Sequence, residues 1–109
     1  MTIKNLTTNK IISKDGKFAK SFLDRGLGLL IKSNPRTLVF KTRFGIYTFF
    51  LKQPIDVVIL DKNLKVVKLK ENLKPNKLFF WNPKYFWINE FPKKTINSKI
   101  KIGNQIKFL

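Results

Sequence analysis

Asp56 follows Pro54-Ile55 at the entry of Val57-Val58-Ile59-Leu60, a run apolar on both faces of a strand. A carboxylate in that position is costly to bury unless it is paired or hydrogen-bonded. Its ordinary structural duty is to cap backbone amides or to pair with Lys52, Arg25 or Arg43. Its sharper duty is that of a ligand-binding or catalytic acid. Paired acid/base work needs a second carboxylate within reach, and the chain has only six acids: Asp15, Asp24, Asp56, Asp61, Glu71 and Glu90. Asp61 lies on the opposite face, ~16 Å further along the same strand direction, and reads as a turn residue. Glu90, in an aromatic strand, reads as a salt-bridge partner for one of the 23 cations. No two carboxylates share one element at the short spacing a magnesium or calcium site requires. With no His and no Cys, imidazole and thiolate metal sites, Ser-His-Asp triads and cysteine nucleophiles are excluded. The expectation is a protein that is not an enzyme and holds no cofactor.

The second chemical signal is charge. Lys and Arg number 23 against six acids, a net charge of +17. A field of that size attracts polyanions such as nucleic acid or an anionic membrane surface. An AT-rich codon bias accounts for abundant Lys, Asn, Ile and Phe but not for scarce acids. Only Arg25, Arg36 and Arg43 are arginines. Arg is the residue of forked phosphate and base contacts, so its rarity argues against sequence-specific readout. Lys52, four residues before Asp56, reads as an ion-pair partner or a solvated lysine, with an anion contact as the sharper alternative.

Aromatic residues interleave with the cations late in the chain. Phe79-Phe80-Trp81, Tyr85-Phe86-Trp87 and Phe91 lie among Lys77, Lys84, Lys93 and Lys94. Single-strand binders stack bases on aromatic rings over a basic groove. The plainer reading sends alternate aromatics of two strands into the core. Trp81, before Asn82-Pro83, is the ring expected to be partly exposed. Lys84, Lys93 and Lys94 are expected to act together as a cationic patch. Gly26-Leu27-Gly28 is too short for a phosphate-binding loop.

The elements that must position these residues are short strands separated by turns every 8–12 residues. Ile3 to Leu6 and Lys10 to Ser13 form an opening hairpin, then an Asp15-Gly16 turn leads into extended Lys17 to Lys20. Ser21-Phe22-Leu23-Asp24 fits a capping box opening a helix from Phe22 to about Leu30, which Asn34-Pro35 stops. Thr37 to Arg43 turns at Phe44-Gly45 into Ile46 to Leu51, and Ile55 to Leu60 has the pattern of a central strand. Asp61-Lys62-Asn63 turns into the alternating Lys65 to Lys70; Phe79 to Trp81, Tyr85 to Phe91 and Ile100 to Phe108 supply the last strands. No apolar run approaches the ~20 residues of a transmembrane helix, and the start lacks the apolar core of an export signal.

Leu51-Lys52-Gln53-Pro54-Ile55-Asp56-Val57-Val58-Ile59-Leu60-Asp61 resembles the hallmark of the family called domain of unknown function 192. Arg25, Gly28, Leu29 and Leu30 are similar to its Arg-x-x-Gly-Leu-Met helix. Leu38-Val39-Phe40 and Val66-Val67 resemble strands that follow, and Leu73-Lys74-Pro75 its Pro-containing loop. Ile88-Asn89-Glu90-Phe91-Pro92 and Ile102-Gly103-Asn104-Gln105-Ile106 resemble its last two stretches, so the likeness spans about Phe18 to Phe108. The chain departs from the pattern at Leu51 (usually Met), Asn76 (Trp), Lys93-Lys94 (Ala-Gly) and Asn104 (Asp). The resemblance implies a mainly-β fold with one short helix, and no function.

The expected architecture is therefore mainly β (α+β by content), one domain over residues 1–109. It is a compact β-sandwich or half-open barrel of about eight short strands with one helix near residues 22–30. The expected function is that of a cytoplasmic binding module with a basic surface, holding RNA or single-stranded DNA nonspecifically through lysines. The alternative is a small-ligand or carbohydrate pocket around Lys52 and Asp56. An enzyme working through Asp56 or Glu90 is the third and least favoured reading.

Overall fold

The computed structural model describes residues 1–18, 37–43, 45–48 and 52–109. Ten strands are found there: β1 (Ile3–Asn5), β2 (Lys10–Ser13), β3 (Lys17–Phe18), β4 (Leu38–Lys41), β5 (Gly45–Tyr47), β6 (Ile55–Leu60), β7 (Val66–Leu73), β8 (Leu78–Phe80), β9 (Trp87–Pro92) and β10 (Ile106–Phe108). They form three open sheets, of order β10-β1-β2, β3-β4-β9-β6-β7 and β5-β8. The fold is mainly β, and no helix occurs among the described residues. The helix expected near residues 22–30, with Arg25 on it, lies outside them.

β6 is buried at all six positions, and the sequence pattern explains why. Ile55, Val57 and Ile59 face one side, where they pack with Leu38, Phe40, Ile88 and Trp81. Val58 and Leu60 face the other, packing with Val39, Phe91, Ile96 and Ile100. The three-stranded sheet adds Ile3, Ile12 and Ile106 to the second cluster. The β5-β8 pair closes over the first with Ile46 and Phe79. A strand covered on both faces reads as a continuous apolar run rather than an alternation. β7, at the sheet edge, does alternate, with Lys68 and Lys70 turned outward. Charged outward residues on an edge strand hinder pairing with other chains.

β1 lies between its hairpin partner β2 and the distant β10, with Ile3 opposite Phe108 and Asn5 opposite Ile106. Asn5, fully buried, holds this region together. Its Nδ2 donates to the Lys99 carbonyl and to Asn104 Oδ1, both at 2.9 Å. Asn104 Oδ1 also accepts from the Lys101 amide at 2.8 Å.

Two strand expectations are corrected. Residues 37–43 and 46–51 were expected to pair as a hairpin, but β4 pairs with β3 and β9 while β5 pairs with β8. Residues 100–108 were expected to form one strand. Instead Lys101–Asn104 turns, with Gly103 at φ 93°, and only Ile106–Phe108 is strand.

Candidate nucleic-acid interface

β9 carries the candidate residues from one end of the central sheet to the other. Trp87 pairs with Lys41 of β4 and Leu60 of β6, whereas Phe91 pairs with Asp56 at the opposite end of β6. Four residue steps of ~3.3 Å each separate Trp87 from Phe91 by roughly 13 Å.

At the Trp87 end, cations lie on aromatic rings. The Thr42 amide donates to the Phe86 carbonyl at 3.0 Å, which brings the end of β4 against the approach to β9. Lys41 Nζ then lies 4.6 Å from the Trp87 ring centroid and 5.9 Å from that of Phe86. Arg43 covers the same Phe86 ring at 4.9 Å, and its Nη1 donates to the Pro83 carbonyl at 2.8 Å. Lys84 lies 5.2 Å from the Tyr85 centroid. The rings of Phe86 and Trp87 stack at 6.2 Å. On the β7-β8 side Lys68 lies 4.8 Å over Phe79 and donates to the Phe80 carbonyl at 2.7 Å. Each exposed cation–ring contact contributes only ~0.5–1 kcal/mol. Together they hold several positive charges in fixed places beside half-exposed rings.

Trp81 is not the exposed ring. It is 7% exposed and belongs to the core. Its indole Nε1 donates to the Tyr85 carbonyl at 2.9 Å, so the one polar atom of the side chain is satisfied without solvent. The exposed ring of that stretch is Phe80, because β8 turns Phe79 inward and Phe80 outward.

At the other end Asp56 is 1% exposed. Its Oδ1 accepts from the Asn72 amide at 2.9 Å and its Oδ2 from the Ile96 amide at 3.0 Å. The carboxylate thus ties the end of β7 to the loop after β9, the capping role among the two structural duties expected of it. A cleft of about 340 Å³ opens beside it, lined by Asp56, Glu71, Asn72, Lys94 and Asn97. Asn72, Lys94 and Asn97 all have positive φ, at 56°, 67° and 35°. Among the described residues, neither Lys52 nor any aromatic side chain lines this cleft. Among the described residues no three His, Cys, Asp or Glu side chains gather as metal ligands.

The expected site residues therefore separate. Lys52, Asp56, Lys93 and Lys94 belong to one end, and Arg43, Trp81 and Lys84 to the other. The structure does not bring Lys84 together with Lys93 and Lys94 as one patch. Glu90 lies between, buried in the central sheet opposite Leu38 and Val57. Asp61 is the turn residue expected, its Oδ1 accepting from the Asn63 and Lys65 amides at 2.8 and 2.9 Å. Lys41 and Lys68 were missed. Each is one lysine among twenty, and only the cross-strand register places it over a ring.

No family model matches the chain. It is 35% identical over 109 residues to the UPF0127 protein of Pyrococcus horikoshii, covering 92% of this chain and 94% of that one. The chain belongs to the UPF0127 family. A second UPF0127 protein, from Pyrococcus furiosus, is 29% identical over 111 residues, 95% of each chain. The UPF0127 chain also superposes on a crystal structure of a protein of unknown function from Novosphingobium aromaticivorans with a TM-score of 0.78. That match covers 98% of this chain and 82% of the other at 12% identity, a likeness of fold alone.

Proposed function

We propose that this UPF0127 protein is a non-enzymatic binding module for polyanions, holding RNA or single-stranded DNA nonspecifically. The observation that carries this reading is the Trp87 end of the central sheet. There Lys41, Arg43 and Lys84 are already seated on the rings of Trp87, Phe86 and Tyr85. A cation fixed before the partner arrives loses less side-chain entropy on meeting a phosphate. A net charge of +17 supplies the long-range attraction. One arginine among these contacts fits backbone contact better than base readout. The reading takes the protein to be cytoplasmic; no helix among the described residues is long and apolar enough to cross a membrane. The resemblance to domain of unknown function 192 belongs to the same reading and adds no activity to it.

The test is fluorescence anisotropy with labelled ~20-mers of RNA and DNA, single and double stranded, at about 50 and 200 mM salt with heparin as competitor. Saturable binding that survives the higher salt is expected. The double variant Lys41→Gln, Arg43→Gln should weaken it and reduce the slope of log Kd against log salt by roughly 1.4, at ~0.7 per single-strand phosphate contact. An unchanged slope would remove this surface from the reading.

The cleft beside Asp56 favours a second reading, a small polar ligand such as a carbohydrate. Its walls offer a lysine, two amides and the Glu71 carboxylate. Calorimetric titration with a panel of mono- and disaccharides checks it, and Asn97→Leu should abolish any heat observed.

A further inference from the structure

Phe80 is 59% exposed, the most exposed aromatic side chain among the described residues, and Leu78 on the same face of β8 is 54% exposed. Opposite Phe80 in the register stands Gly45 of β5. A Cβ added to Gly45 would meet Phe80 Cδ1 at 2.7 Å, Phe80 Cε1 at 3.2 Å and the Phe79 carbonyl oxygen at 2.7 Å. The Phe80 ring therefore lies across the backbone at Gly45, with one edge held there and much of its surface left to solvent. Gly45 is needed here for space, since its φ is not positive. Glycine inside a strand marks such a close approach.

One cation is anchored at the backbone of Phe80. Lys68 Nζ donates to the Phe80 carbonyl at 2.7 Å. That Nζ also lies 4.8 Å from the centroid of the neighbouring Phe79 ring, which fixes its place, whereas the Arg43 guanidinium, two residues before Gly45, is turned to Phe86 and the Pro83 carbonyl. A flat, supported ring beside fixed positive charge has the two parts needed to hold an unpaired nucleotide: a π-face for the base and a cation for its phosphate. A base inside a duplex cannot offer its face to such a ring.

We propose that Phe80, laid across Gly45, is a stacking platform for an unpaired nucleobase, with Lys68 beside it meeting the phosphate. This rests on the polyanion reading above and gives it a substrate class, single-stranded nucleic acid. Polymers without accessible bases lose the stacking contribution, whatever their charge.

The experiment compares wild type with Phe80→Leu, which leaves the charge unchanged and keeps an apolar group over Gly45. Four probes of equal length are titrated by anisotropy or competition: a single strand, its duplex, an abasic single strand and heparin. Phe80→Leu should bind the single strand about five- to a hundredfold more weakly, the range of one lost base stack. Its affinity for the duplex, the abasic strand and heparin should stay within about twofold of wild type. Phe80→Trp should keep single-strand binding. Should Phe80→Leu fail the circular-dichroism check for folding, the wild-type comparison decides alone: the abasic strand must bind at least fivefold more weakly than the ordinary strand. Equal binding of ordinary and abasic strands overturns the platform while leaving the polyanion reading intact. An equal loss for all four probes in a folded Phe80→Leu variant also overturns it. Absence of wild-type binding to any of the four removes both.

Discussion

Replacing Asp56 by Asn leaves the shape of the side chain nearly unchanged and removes one acceptor. In the protein both carboxylate oxygens accept a backbone amide, from Asn72 and from Ile96. The Ile96 bond is buried, whereas the Asn72 bond is only partly so and borders the cleft. The Asn side chain should therefore turn its oxygen to Ile96 and its NH₂ toward the Asn72 amide, donor facing donor. One charge-assisted bond is lost, about 1.5–3 kcal/mol, and water in the cleft relieves part of the orphaned Asn72 amide. Asp56→Ala loses both bonds and strands the buried Ile96 amide, so about 3–5 kcal/mol is expected. Urea unfolding followed by fluorescence, with Trp81 as a buried reporter, measures both. With m of ~1–3 kcal/mol/M the Asn variant should lower the midpoint by about 1 M. Asp61→Asn is the control, because its carboxylate oxygen accepts two amides in an exposed turn and should cost under ~1 kcal/mol. An Asp56→Asn variant within ~0.5 kcal/mol of wild type, or an Ala variant no worse than Asn, would refute the capping role.

Asn89 is fully buried, and neither its Nδ2 nor its Oδ1 has a hydrogen-bond partner among the described residues. Its register neighbours are Val39 and Val58, so Asn89→Leu should raise stability by about 1–2 kcal/mol, and a lowered urea midpoint would contradict this. Thr48 Oγ1 donates to the Lys74 carbonyl at 2.7 Å and accepts from the Lys77 amide at 2.9 Å. Thr48→Val should then cost about 1–3 kcal/mol and speed amide exchange at Lys77; unaltered exchange would count against it. Gly45→Ala should destabilise by roughly 1–3 kcal/mol through its clash with the Phe79 carbonyl, and a neutral result in thermal melts would mean that the β5-β8 pair gives way freely.

What the sequence shows of the fold depends on how local the cause is. β6 was legible because branched apolar residues on both faces have one comfortable place, the middle of a covered sheet. The β1-β2 hairpin and the Asp61 turn were legible because neighbouring residues determine them. The partner of β4 was not: its apolar Leu38-Val39-Phe40 suits any buried neighbour, and the choice of β9 over β5 rests on contacts some fifty residues away. Trp81 shows the same limit just past the end of β8. Alternation says that Phe80 and Trp81 point oppositely, but not which one faces the core, and the Tyr85 carbonyl that accepts the indole N–H decides it. At the site, the pairing of aromatics with cations was visible as composition. Which lysine sits on which ring was not, since that is set by register between β4 and β9.

The position of β1 between β2 and β10 has a consequence for the order of folding. Thr2 and Leu109 exchange two backbone hydrogen bonds at 2.8 Å, and the Thr7 hydroxyl meets an amide 98 positions away. Closing a loop of that length costs roughly 2–3 kcal/mol more entropy than closing the short β1-β2 turn. The hairpin can form early, yet one edge of β1 stays bare until the chain has almost finished folding. Until then Ile3 and Ile106, which share one half of the core, are apart. The central sheet must therefore persist for a time with that face open, and the speed of the final closure sets how long the protein is exposed to aggregation.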